Sequence, residues 1–225
     1  MFDIRNIKSA VLDMDGTLID SMGIWHEIDK KFFAEHGLEP PEGISSQVNK
    51  MTMQEWAEYF TTEFDINMTG EQVIQRIGQM CYEYYAEIIP IKPYVTEFLD
   101  FLDSHGIKYG IATATYRKSA QAVLKRLGIL DRMQFVLTAE DVPSSKKTPE
   151  MFLKSAELLD SSPYDTLVVE DSLHCLETAV SAGFPTIGVH DDAVPVHEEE
   201  VIQLLADVWG SDLKEITEKI KPEQP

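Results

Sequence analysis

Two textures of hydrophobic and polar residues alternate along the chain. Short apolar runs occur at 9–15 (SAVLDMD), 108–114 (KYGIATA), 134–140 (QFVLTAE), 166–172 (TLVVEDS) and 185–191 (PTIGVHD). They begin as continuous apolar stretches, without a polar residue at every second place. That is the pattern of strands buried on both faces in a parallel sheet. Between them, apolar residues recur every three or four positions. Val95, Phe98, Leu99 and Leu102 form one such stripe, ending at Gly106, and Ala120, Val123, Leu124 and Leu127 form another, ending at Gly128. Phe152, Ala156 and Leu159 follow Pro149, and Leu176, Ala179 and Val180 run up to Gly183. Each stripe predicts a helix with a glycine or proline at its boundary. Strand–helix alternation of this kind predicts an α/β fold: a Rossmann-like core of parallel strands with helices on both faces.

The stretch 21–90 has a different pattern. It has almost no β-branched run and three helical patterns, GIWHEIDKKFFAEHG, TMQEWAEYFTTEF and GEQVIQRIGQMCYEYYAEI. We expect an all-helical cap at 21–90, inserted into a core made of 1–20 and 91–225. Two connections to one body suit a hinged lid. The tail beyond 190 is acidic (DDAVPVHEEE), with a helix expected at about 211–220 before a frayed KPEQP.

Charge and cysteine content narrow the functional classes. In 225 residues, 19 Lys and Arg face 39 Asp and Glu, a net charge of −20. Such a polyanion is poorly suited to nucleic acid or to an anionic membrane surface, both of which need cationic side chains. Two distant cysteines, Cys81 and Cys175, allow neither a disulfide scaffold nor a zinc site of four cysteines. MFDIRNIKSA has no signal-peptide core and no apolar run is long enough to span a bilayer, so a cytoplasmic location is expected. Oligomeric state is left open, with a monomer as the working expectation.

The strongest chemical signal is DMDGTLID, residues 13–20, directly after an apolar run. It delivers Asp13 and Asp15 to the carboxyl edge of a parallel strand, where open α/β sheets bind ligands. A D-G turn or a helix cap would explain one acid there, but two acids at a strand end call for a cation. VVEDS repeats the pattern with Glu170 and Asp171, and Ser172 is placed to cap the next helix. IATAT ends with the hydroxyls of Thr113 and Thr115, and SSKKTPEMF puts Lys146 and Lys147 before a helix opened by Pro149. Acids for a hard divalent ion, hydroxyl and amide donors, and a cation are what phosphoryl transfer requires.

With these motifs the sequence resembles the haloacid dehalogenase-like hydrolase superfamily, in the helical-cap branch near the β-phosphoglucomutases and phosphoglycolate phosphatases. The resemblance spans the whole chain. It implies that Asp13 is the nucleophile and that Asp15 is the general acid and then the base, its main-chain carbonyl also touching Mg2+. It implies that Thr113 and the Ala114 N–H hold the phosphoryl oxygens, that Lys146 balances charge, and that Asp171 and Glu170 join Asp13 as metal ligands. Gly16 and Thr17 would shape the loop, with Thr17 and Asp20 bonded locally. There are departures: Cys175 stands where the family often has glycine, and Lys147 where it usually has proline. The K-x-x-P-[DE] spacing to Pro149 and Glu150 selects Lys146 over Lys147.

Asp15 favours phosphate esters, because dehalogenases of the superfamily lack that second acid. The histidine that mutases of the group carry five residues after the motif's last aspartate is here Trp25, beside His26. The cap segment NKMTMQEW offers Lys50 and Gln54 but no arginine for a second phosphate. Hydrolysis of a small phosphorylated metabolite is therefore expected. A phosphosugar mutase and a non-catalytic phosphometabolite binder are the alternatives. Ser21, Met22, Trp25 and His26 lie at the cap entrance, with Ser21 and Trp25 as candidate substrate contacts. Tyr82, Tyr84 and Tyr85 are expected in the cap core and surface, and His174 in a solvent-facing first turn.

Overall fold

The computed structural model describes residues 2–41, 43–44, 53–64, 66–142 and 144–222. The chain divides into two compact units, one made of residues 1–21 and 90–225, the other of 22–89.

The first unit is built on a six-stranded sheet in the order β3-β2-β1-β4-β5-β6, with every neighbouring pair parallel. The strands are β1 (Ser9–Leu12), β2 (Lys108–Ala112), β3 (Val136–Leu137), β4 (Thr166–Glu170), β5 (Thr186–Val189) and β6 (Val208–Gly210). Every residue of β1, β4 and β5 is buried. That explains their unbroken apolar text: a strand covered on both faces has no solvent side to signal. Helices cover both faces of the sheet. Val11 of β1 and Val168 of β4 share a core cluster with Met151 and Phe152 of the helix Glu150–Leu158 and with Cys175 and Ala179 of Leu173–Ser181. Cys175 thus packs into the core where a glycine would leave a gap.

Two elements depart from expectation. The 190–210 stretch is not a plain acidic tail: a helix at Val196–Leu205 leads into β6, which pairs with β5. In that helix only Ile202 is buried, so it carries a single apolar anchor and no apolar stripe. The final helix begins at Leu213, capped by the Asp212 side chain on the Glu215 N–H, 2.8 Å away.

The second unit is helical. It contains α1 (Ile24–Glu35), α2 (Met53–Glu63) and α3 (Gly70–Glu83), the last running into a π-turn at Tyr84–Ile88. Phe32, Phe33, Phe60 and Phe64 pack edge to face with centroids 4.8–5.3 Å apart. Thr69 and Gln72 form a capping box that fixes the start of α3. Tyr85 is buried while Tyr82 and Tyr84 are partly exposed. Among the described residues no helix is long and apolar enough to cross a membrane.

Candidate active site

Register brings the acids together. Leu12 pairs with Ile111 on one side and Val169 on the other. The next residue, Asp13, donates its N–H to the Val169 carbonyl at 2.9 Å and so emerges beside Glu170. Alternation then sends Met14 into the core, fully buried, and returns Asp15 to the side of Asp13. The chain turns at Gly16, where φ is +82°. A methyl group there would lie 2.4 Å from Asp171 Oδ2, so both the dihedral and the space require glycine.

Oxygens of Asp13, Glu170 and Asp171 all lie within 4.8 Å of one another. Their residues are 6, 1 and 4% exposed. The ammonium of Lys146, itself buried, pairs with Asp13 and lies 2.5 Å from Glu170. Lys147, one residue on, is exposed. The SKK turn therefore directs Lys146 inward, the choice the spacing made.

Three carboxylates against one ammonium leave the cluster two charges short of neutral, and the proton affinities record this. Burial and the Glu170 charge push Asp13 up to about 7, although Lys146 pulls the other way. Burial, Glu170 and Asp13 raise Asp171 well above the carboxylate range. Burial opposes ionisation of Glu170 too, but Lys146 outweighs it and holds Glu170 below its ordinary value. The Lys146 ammonium is held charged by Asp13 and Glu170 against the cost of burial. A buried, oxygen-only, electron-rich donor set of this kind fits a hard divalent cation such as Mg2+.

Asp15 is held separately. Ser21 Oγ donates to Asp15 Oδ1 at 2.8 Å, and Thr113 and Thr115 hydroxyls donate to Oδ2 at 3.1 and 2.8 Å. Thr113 Oγ1 also accepts from the Thr115 N–H at 3.0 Å, which orients its own proton toward Asp15. Thr113 is buried and Ala114 exposed, at the end of β2. Among the expected positions, Ser21 is thus a partner of Asp15. Thr17 differs from expectation: its hydroxyl reaches Asp171 Oδ1 at 3.2 Å, across 154 residues of sequence, instead of bonding locally. Asp20 is exposed, and its backbone N–H bonds Pro90 O at 3.0 Å. The Cys175 sulfur lies 3.2 Å from His174 Nε2. His174 is exposed and bonded to the Ser172 hydroxyl at 2.7 Å, in the first turn as expected.

Of the cap candidates, Met22 is exposed and His26 lies on the solvent side of α1. The Trp25 and Gln54 side chains and all of Lys50 lie outside the described residues.

The haloacid dehalogenase-like hydrolase family model matches residues 10–189, from the strand before Asp13 to the end of β5. The chain belongs to this family. Similar proteins of this hydrolase family include hexitol phosphatase B of Escherichia coli, 27% identical over 221 residues and 96% of each chain. A phosphorylated carbohydrates phosphatase of Thermotoga maritima is 26% identical over 80% of this chain and 84% of its own. In fold the hydrolase is similar to a Thermotoga maritima protein assigned as a β-phosphoglucomutase, with a TM-score of 0.85 at 24% identity, covering 97% of this chain and 100% of the other. The crystal structure of CbbY from Rhodobacter sphaeroides in complex with phosphate matches with a TM-score of 0.73 at 18% identity, over 93% and 96% of the two chains.

One buried carboxylate and its half-buried partner carry no signal in the sequence. Lys92 and Asp191 form an ion pair at 2.9 Å behind the Asp13–Gly16 loop. Lys92 stands alone between Ile91 and Pro93, and nothing in its immediate sequence marks it.

Proposed function

We propose that this hydrolase cleaves small phosphomonoesters, a phosphorylated sugar or polyol being the favoured class, with Mg2+ held by Asp13, Asp171 and Glu170 together with the main-chain carbonyl of Asp15. The observation that carries the reading is the clustering of three buried carboxylates, two of them paired with one buried ammonium, at the carboxyl edge of the sheet. The phosphatases among its relatives support the substrate class.

The bound ion would neutralise the negative charge that an incoming phosphate adds to Asp13. An Asp13 carboxylate oxygen attacks phosphorus, forming an aspartyl-phosphate as the ester P–O bond breaks. Asp15 gives its proton to the leaving oxygen, then takes one from the water that cleaves the aspartyl-phosphate and restores Asp13. Lys146 offsets the charge on Asp13, and the Thr113 hydroxyl and Ala114 N–H receive the phosphoryl oxygens. The three hydroxyls on Asp15 hold it at a fixed orientation until substrate arrives. We assign the core role to 1–20 and 91–225, and substrate choice to a cap at 21–90 carrying Met22 and Trp25.

The test is release of phosphate from p-nitrophenyl phosphate and a panel of sugar and polyol phosphates, with Mg2+ and with EDTA. Activity lost in EDTA and in Asp13→Asn is expected, and an Asn variant that keeps its rate would remove Asp13 from its role. A mutase reading is favoured by likeness to β-phosphoglucomutase structures. Trp25 in place of a histidine argues for hydrolysis. Isomerisation of a hexose 1-phosphate faster than phosphate release, with a bisphosphate primer present, would reverse that preference.

A further inference from the structure

We propose that Lys92 is a positioning residue for the reaction, fixing the Asp13–Gly16 loop from behind; this rests on the reading of Asp13 and Asp15 above. The ammonium of Lys92 donates to three acceptors: the Gly16 carbonyl at 2.5 Å, the His190 carbonyl at 2.9 Å and Asp191 Oδ2 at 2.9 Å. An ammonium has three N–H donors and no acceptor, so the three contacts use all of them.

The acceptors come from separate stretches of the chain. Gly16 closes the turn after Asp13 and Asp15, while His190 and Asp191 follow β5. Lys92 belongs to the segment that returns from residues 22–89, where its own N–H bonds Leu18 O at 2.9 Å and Ile91 bridges Ile19. Asp191 is 5% exposed and adds to the negative field on Asp171. Lys92 therefore does two things at one atom. It holds the Gly16 carbonyl outward, which keeps the Gly16 α-carbon against Asp171, and it neutralises a buried carboxylate beside the metal ligands. Lys92 touches neither substrate nor the three clustered acids, so its effect passes through the loop.

The prediction is a loss of kcat with little change in KM, since substrate contacts stay while the nucleophile and acid shift. A displacement of about 1 Å costs on the order of 100-fold, so a 10- to 100-fold fall in kcat is expected for Lys92→Gln on p-nitrophenyl phosphate with saturating Mg2+. Hydrogen exchange of the peptide covering 13–20 should quicken about tenfold or more, while the helix Leu173–Ser181 stays unchanged. Should Lys92→Gln not fold, Lys92→Arg takes its place with both readouts, because a planar guanidinium keeps the charge but not the three-way fit. Unchanged exchange at 13–20, uniform acceleration across the protein, or unchanged kcat would each overturn the proposal. If the wild-type chain turns over no ester, the reading of function fails, and the exchange measurement alone decides the role of Lys92.

Discussion

Asp13→Asn, the substitution expected to abolish turnover, should make the metal-free protein more stable at slightly alkaline pH. Folding raises the Asp13 carboxyl from 3.8 to about 7, because burial and Glu170 disfavour its charge more than Lys146 favours it. A raised acid holds its proton more tightly in the folded chain than in the unfolded one. Stability contributed by this group is therefore greatest below pH 4 and declines as pH rises toward 7, where the folded group also ionises. Each tenfold step in proton affinity is worth about 1.4 kcal/mol, so the rise corresponds to a ceiling of about 4 kcal/mol. Asparagine resembles the protonated acid and never incurs that cost. The cluster then holds two carboxylates and one ammonium in place of three and one.

The difference between variant and wild type should be near zero at about pH 4 and reach about 1–4 kcal/mol at pH 8 in EDTA. At roughly 2–4 °C per kcal/mol for a chain of this size, the melting temperature rises by about 2–16 °C. With Mg2+ in excess the order should reverse, because a ligand bound by the native state alone stabilises it and the variant has lost one carboxylate donor. Thermal melts at the two pH values, with and without metal, make the measurement. An Asp13→Asn protein less stable than wild type at pH 8 in EDTA would refute the reasoning.

Gly16→Ala should reduce both activity and Mg2+ affinity, because its methyl group would lie 2.4 Å from Asp171 Oδ2 at a φ of +82°; wild-type values for both in titrations of turnover against Mg2+ would contradict this. Asp15→Ala should slow ester cleavage by about 10²–10⁴-fold and leave Mg2+ affinity nearly unchanged, since only proton transfer is lost and the main-chain carbonyl remains; equal losses of both would place its carboxylate on the metal. Lys146→Met should destabilise the protein in EDTA by about 3–5 kcal/mol, because it leaves Asp13 and Glu170 buried without a counter-charge, and added Mg2+ should recover part of this in chemical denaturation; equal stability with wild type would show that the pair does not carry the site's charge balance.

Much of the site was legible because strand ends write it locally. DMDG and VVED each place their acids at the end of an apolar run, and parallel register does the rest by setting Leu12 against Val169. Lys146 was legible through its spacing to Pro149. What escaped depends on contacts made across long stretches of chain. Thr17 bonds Asp171 over 154 residues, and Lys92 finds Gly16 over 76 and Asp191 over 99. A lone lysine before a proline carries no pattern that names such partners. β6 escaped because Val208–Gly210 is a three-residue edge strand, too short for periodicity to register, and the Val196–Leu205 helix because its acidic first turns hide a single buried anchor.

The central claim is that the carboxylate of Asp13 accepts the phosphoryl group. Acid quench during steady turnover of a phosphomonoester with Mg2+, followed by peptide mass mapping, tests it most directly. The account predicts one added phosphoryl group on the peptide spanning 9–20, localised to Asp13. Phosphate release at full rate with the phosphoryl group trapped on another residue, or with none trapped on Asp13, would contradict it.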